Sequence, residues 1–107
     1  MMSERDRHIL KTFAARVRER FPKAEVWAFG SRARGDAREE SDLDTCVVVE
    51  SLRHEDRQTI RRIGWEVGFE QDILLCTTIY SKDEFERGPC SESPLVMNIR
   101  REGIPVS

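Results

Sequence analysis

The sequence predicts one α/β (α+β) domain spanning residues 1–107, a small mixed sheet flanked by helices. Two observations carry this prediction. Apolar residues recur at helical spacing in some stretches, and β-branched or apolar runs of strand length separate them, in the coarse order αβαβαβ followed by α. A chain of this length can bury one core, and 38% hydrophobic against 36% charged residues makes that core thin under a heavily ionised surface. No internal repeat or low-complexity segment interrupts the alternation.

Ser3 is placed to cap a first helix in which Ile9, Leu10, Phe13, Val17 and Phe21 share a face, ending before Pro22. Residues 25–30, EVWAFG, read as a short strand that stops at glycine, and a loop or short helix follows. Residues 43–49, LDTCVVV, are apolar and β-branched enough for a buried strand. Residues 54–68 carry Ile60, Ile63, Gly64 and Val67 on one helical face and Arg and Glu on the other. A third strand is predicted at 72–79, opening on Asp72. Ser81 with Glu84 forms a capping box for a short helix ending near Gly88, and Ser93 with Pro94 starts a last helix with Gly103 beyond its end.

Composition excludes several functions. Lys and Arg number 18 against 20 Asp and Glu, a formal charge of −2, so no global basic field argues for nucleic acid and no direct nucleic-acid binding is expected. No apolar run approaches the roughly 20 residues that span a bilayer, and MMSERDRHIL lacks a signal-peptide core, so no membrane association and a cytoplasmic location are expected. Cys46, Cys76 and Cys90 lack metal-ligand spacing; Cys46 and Cys76 are expected to be core thiols, Cys90 to be exposed after Pro89. His8 and His54 read as surface residues, and Trp27 and Trp65 as core or interface rather than base-stacking platforms.

The stretch that carries chemistry is GSRARGDAREESDLD at 30–44. A strand period of two puts Asp42 and Asp44 on one face, with Leu43 turned to the other. Two carboxylates this close repel each other unless a cation holds them, and Mg²⁺ takes oxygen ligands from one or two carboxylates together with substrate phosphates. Gly30 lets the backbone approach phosphate oxygens, and Ser31 adds a hydroxyl and an amide where a helix begins. Arg32, Arg34 and Arg38 supply local positive charge, Arg34 being the first candidate phosphate ligand. Neither GxxxxGK[ST] nor GxGxxG is present, so this is not a P-loop or a dinucleotide fingerprint.

Gly30-Ser31, ten residues, Asp42-x-Asp44 and then an apolar strand resembles the signature of the minimal nucleotidyltransferase domains in the DNA polymerase beta-like superfamily. The resemblance covers most of the chain, including IRREGIP at 99–105, similar to the family's usual ending; Thr45 departs from it, where an aliphatic residue is more usual. It implies the polymerase beta-like nucleotidyltransferase fold and a third acid opening a later strand, for which Asp72 is the candidate. By resemblance, Asp42, Asp44 and Asp72 are the catalytic acids and the ligands of one or two Mg²⁺ ions, with Asp72 binding the second or taking the acceptor's proton. Gly30, Ser31 and Arg34 would then bind the nucleotide's phosphates.

Strand directions follow if these residues share a site. Gly30-Ser31 ends strand one and Asp42 and Asp44 begin strand two, so those strands run antiparallel. Asp72 at the same end makes strands two and three parallel, with residues 50–71 as a right-handed helical crossover. The expected sheet is three-stranded or slightly larger, in the order 1-2-3.

The resemblance further implies transfer of a nucleoside monophosphate, AMP from ATP, onto a hydroxyl, with a tyrosine of a HEPN-type toxin as acceptor and the chain as its antitoxin. The alternatives are an antitoxin or regulatory subunit that acts by binding alone, and a transferase acting on a small-molecule hydroxyl.

Overall fold

A computed structural model describes residues 2–35 and 42–107. The elements run α1 (Glu4–Arg20), β1 (Glu25–Phe29), α2 (Gly30–Arg34), β2 (Leu43–Val49), α3 (His54–Gln71), β3 (Leu75–Ser81), α4 (Lys82–Glu86), a 3₁₀ turn (Pro89–Glu92), α5 (Pro94–Glu102) and β4 (Ile104–Val106). The caps read from the sequence form as expected. Ser3 accepts from the Asp6 N–H, Ser81 and Glu84 close a reciprocal box, and Ser93 accepts from the Val96 N–H.

The sheet is ordered β3-β2-β1-β4. β1 and β2 are antiparallel and β2 and β3 parallel, so the expected 1-2-3 adjacency stands. A fourth strand, β4, pairs antiparallel with β1 and makes β1 an interior strand. Only three residues long and carrying Pro105, β4 has no strand signature in sequence, and the edge position is what tolerates the proline.

Alternation along the strands sorts residues into two cores. Val26 and Ala28 of β1, Leu43, Val47 and Val49 of β2, and Leu75 and Ile79 of β3 face α1 and α3, where Ile9, Leu10, Phe13, Val17, Ile60 and Val67 are fully buried. Each such side chain contributes about 2 kcal/mol by leaving water. On the opposite face, Cys46 and Val48 pack with Phe85 of α4 and Val96 and Ile99 of α5, against Trp27 and Tyr80. The apolar run of β2 is thus covered on both sides, as its unbroken hydrophobicity predicts.

Three expectations need correction. β3 starts at Leu75, not at Asp72, because α3 continues to Gln71 and Asp72 caps it in the left-handed conformation (φ 55°), which a short polar side chain tolerates. Cys76 is half-buried rather than a core thiol, since its place in β3 turns it to the same face as Asp42 and Asp44. Cys90 is half-buried rather than exposed. Of the two places expected for Trp65, core or interface, its 67% exposure removes the core.

Two glycines let α3 lie close to β3. A Cβ at Gly68 would stand 2.6 Å from the Ile73 carbonyl oxygen, and one at Gly64 would stand 2.8 Å from Thr77 Oγ1. The Gly68 neighbour is backbone and cannot rotate away. Gly68→Ala is therefore expected to lower stability by about 2 kcal/mol, read from the urea midpoint at constant m-value.

Candidate active site

The site is built where β1 ends and β2 begins. Antiparallel register sets Phe29 opposite Asp44, so the chain leaves β1 beside the second acid. Gly30 then turns at φ 79°, and a Cβ there would collide with Asp44 Oδ2. The absence of a side chain is what allows the carboxylate to lie against the turn. Among the described residues no side chain caps α2 at Gly30, and its first N–H groups, Ser31 included, lie beside the Asp44 carboxylate's end of the strand.

Asp42 and Asp44 share a face with Cys76, which stands opposite Asp44 in the parallel register. The Cys76 thiol donates to Asp42 Oδ2 at 3.2 Å. Thr45, wholly buried, donates from Oγ1 to the Cys76 carbonyl at 3.1 Å and ties the two strands together behind the acids. Burial raises the Asp44 carboxyl above its ordinary range, and the neighbouring Asp42 charge raises it further. Burial, the hydrogen bond to Asp42 and the two carboxylate charges push the Cys76 thiol up to about 11, so it remains a donor at neutral pH. Two hard carboxylate oxygen donors on one strand face are a donor set that suits a divalent cation such as Mg²⁺. Among the described residues no third acidic, histidine or cysteine side chain completes a metal-holding group with them.

The arginines divide. Arg32 is buried and forms a bidentate ion pair with Asp6 of α1, Nε to Oδ2 at 3.1 Å and Nη2 to Oδ1 at 3.3 Å. It anchors the Gly30–Arg34 turn onto the first helix. Arg34 is half-exposed, 3.7 Å from Glu102 of α5. Arg38 lies outside the described residues. Asp6 thereby positions the turn beside the acids, a part the sequence does not signal: an Asp in the first turn of a helix reads as ordinary dipole complementarity, and its partner is 26 residues away.

Asp72 is not brought to this pair. It lines a groove of about 760 Å³ with Trp65, Phe69, Leu75 and Thr77, in the layer of α3. Leu75 and Thr77 alternate with Cys76, so that layer is the opposite face of the sheet from Asp42 and Asp44.

The turn also yields a prediction. In Gly30→Ala the left-handed turn and the Asp44 carboxylate compete for one space, and a shift on the order of 1 Å in a reacting group costs roughly 100-fold in rate. The variant is expected to keep its helical circular dichroism while any transferase activity falls on that scale.

An acid pair is thus set against a glycine turn in a β3-β2-β1-β4 sheet with helices on both faces. Residues 10–104 match the family described as nucleotidyltransferase domain, and the chain belongs to that family. It is 40% identical over 58 residues to a Methanocaldococcus jannaschii protein assigned as a protein adenylyltransferase, the match covering 53% of this chain and 59% of that relative's length. A solved structure assigned as a nucleotidyltransferase from Sulfolobus solfataricus is 28% identical with a TM-score of 0.56, covering 78% of this chain and 73% of that one. A chain of a toxin-antitoxin structure with AMP-PNP has the same fold, with a TM-score of 0.60 at 15% identity over 91% of this chain and 72% of that one.

Proposed function

We propose that this nucleotidyltransferase moves AMP from ATP onto a hydroxyl group, using Mg²⁺ held by Asp42 and Asp44. The observation that carries the reading is the placement of both carboxylates on one strand face beside the Gly30 turn. That arrangement puts a cation site and an anion site side by side, which a metal-bound triphosphate needs. Mg²⁺, when bound, supplies Lewis-acid stabilisation of the attacking and leaving oxygens.

The chain's own residues bind and orient. Asp42 and Asp44 fix the metal-nucleotide, Cys76 holds Asp42 in place by its hydrogen bond, and the Gly30-Ser31 turn receives the β- and γ-phosphates, with Arg34 at its end. The acceptor oxygen bonds to the α-phosphorus as the bond from that phosphorus to the bridging oxygen breaks. Pyrophosphate leaves, and the acceptor's proton passes to solvent. Asp72, on the far side of the sheet, has no place in this metal set.

The acceptor is read as a tyrosine on a HEPN-type toxin, with this chain as antitoxin. The M. jannaschii relative assigned as a protein adenylyltransferase and the toxin-antitoxin fold neighbour support that direction. The test incubates the chain with Mg²⁺, ATP labelled at the α-phosphate and the protein encoded beside it. Label on that protein's tyrosine supports the reading; an unlabelled, folded partner contradicts it. The position of Asp72 favours a second reading, neutralisation of a partner by binding alone. Partner neutralisation that persists in Asp42→Asn/Asp44→Asn would select it.

A further inference from the structure

We propose that α3, with the outer edge of β3 beside it, is a twofold interface between two copies of this chain. Trp65 and Phe69 stack on each other at 5.5 Å between ring centroids, yet are 67% and 75% exposed. The two rings offer on the order of 300 Å² of apolar surface, the size of patch that marks an interaction site rather than scattered exposure. They stand over the groove that opens at β3, an edge strand of the sheet.

The patch is self-complementary. When two α3 helices cross antiparallel about an axis between Glu66 and Val67, Arg61 comes opposite Asp72, Trp65 opposite Gly68, and Phe69 opposite Gly64. Each end of the patch thus meets its opposite charge, twice over, as an isologous contact requires. Among the described residues neither the Arg61 nor the Asp72 side chain has a partner within the chain, although the adjacent Arg62 pairs with Glu66. The groove lies on the sheet face away from Asp42 and Asp44, so a second copy seated there leaves the acid face open to nucleotide and acceptor. An acceptor docked in the groove would have its hydroxyl on the wrong side of the sheet. The inference does not depend on the transferase reading.

Sedimentation of the full chain from roughly 1 to 200 µM tests it. Wild type is expected to reach twice its 12.5 kDa. Phe69→Arg and Arg61→Glu, both at exposed positions, should each weaken the dimer at least about tenfold. Adding Asp72→Asn to Arg61→Glu removes the new repulsion while keeping a residue that accepts the left-handed cap, and should recover part of the loss. In wild type, Trp65 emission should shift to the red on dilution, a readout independent of how the variants fold. A chain that stays monomeric throughout, a dimer that neither substitution shifts, or a monomer whose groove is occupied only by a different protein overturns the proposal.

Discussion

Asp42→Asn and Asp44→Asn are each expected to lower nucleotidyl transfer by about 1,000-fold or more, with opposite consequences for function and stability at Asp44. In the proposed two-acid metal site, loss of a carboxylate would remove charge stabilisation where the α-phosphorus reacts, for which factors of this order are typical. Stability should move the other way. Burial and the Asp42 charge raise the folded-state Asp44 carboxyl, so the folded protein holds its proton more tightly than the unfolded chain. The stabilisation from protonating Asp44 is present at low pH and is lost as pH rises through the raised value. At neutral pH the ionised pair therefore opposes folding, and Asp44→Asn should raise Tm in metal-free buffer. Calorimetry of wild type and variant at two pH values, one acidic and one neutral, checks this. The gap between them should narrow toward acid, where wild-type Asp44 also carries a proton.

The second large effect concerns the Asp6–Arg32 pair. Their side chains are 6% and 9% exposed, so removing Asp6 takes a bidentate carboxylate partner from a buried guanidinium. Asp6→Ala is expected to cost about 3 kcal/mol, a fall in Tm on the order of 15 °C for a domain this size. Because Arg32 belongs to the α2 turn, the same change should loosen Gly30 and Ser31. Arg32→Lys should recover little, since a lysine cannot make the bidentate contact that Nε and Nη2 make with the Asp6 carboxylate. The double replacement Asp6→Met/Arg32→Leu should lose less than Asp6→Ala alone, because it removes the buried guanidinium together with its carboxylate. Chemical denaturation of the three variants, compared at constant m-value, measures these differences.

Much of this arrangement is legible in sequence because it rests on local rules. Period-two alternation places Asp42 and Asp44 on one face, and caps at Ser3, Ser81 and Ser93 set three helix starts within a residue or two. Strand directions follow from asking which ends must meet. Asp72 is misplaced by sequence because Gln71-Asp72-Ile73 reads equally well as a helix end or a strand start, and the left-handed cap that decides between them leaves no periodic trace. Cys76 is misread because its neighbours Leu75 and Ile79 are core residues, while its own alternation turns it to the acids. Arg32 looks like its neighbours Arg34 and Arg38, and only the folded contact with Asp6 separates an anchoring arginine from a candidate phosphate ligand. β4 is invisible to pattern reading because tertiary pairing with β1, not propensity, makes Pro105 part of a sheet.

The central claim, that Asp42 and Asp44 hold a metal-nucleotide against the Gly30 turn, has a test that needs no acceptor. Binding of AMP-PNP by the folded chain, followed by titration calorimetry, should require Mg²⁺ and should be lost in Asp42→Asn/Asp44→Asn while that variant stays folded. Equal AMP-PNP affinity in the double variant, or in wild type with the metal chelated, would contradict it.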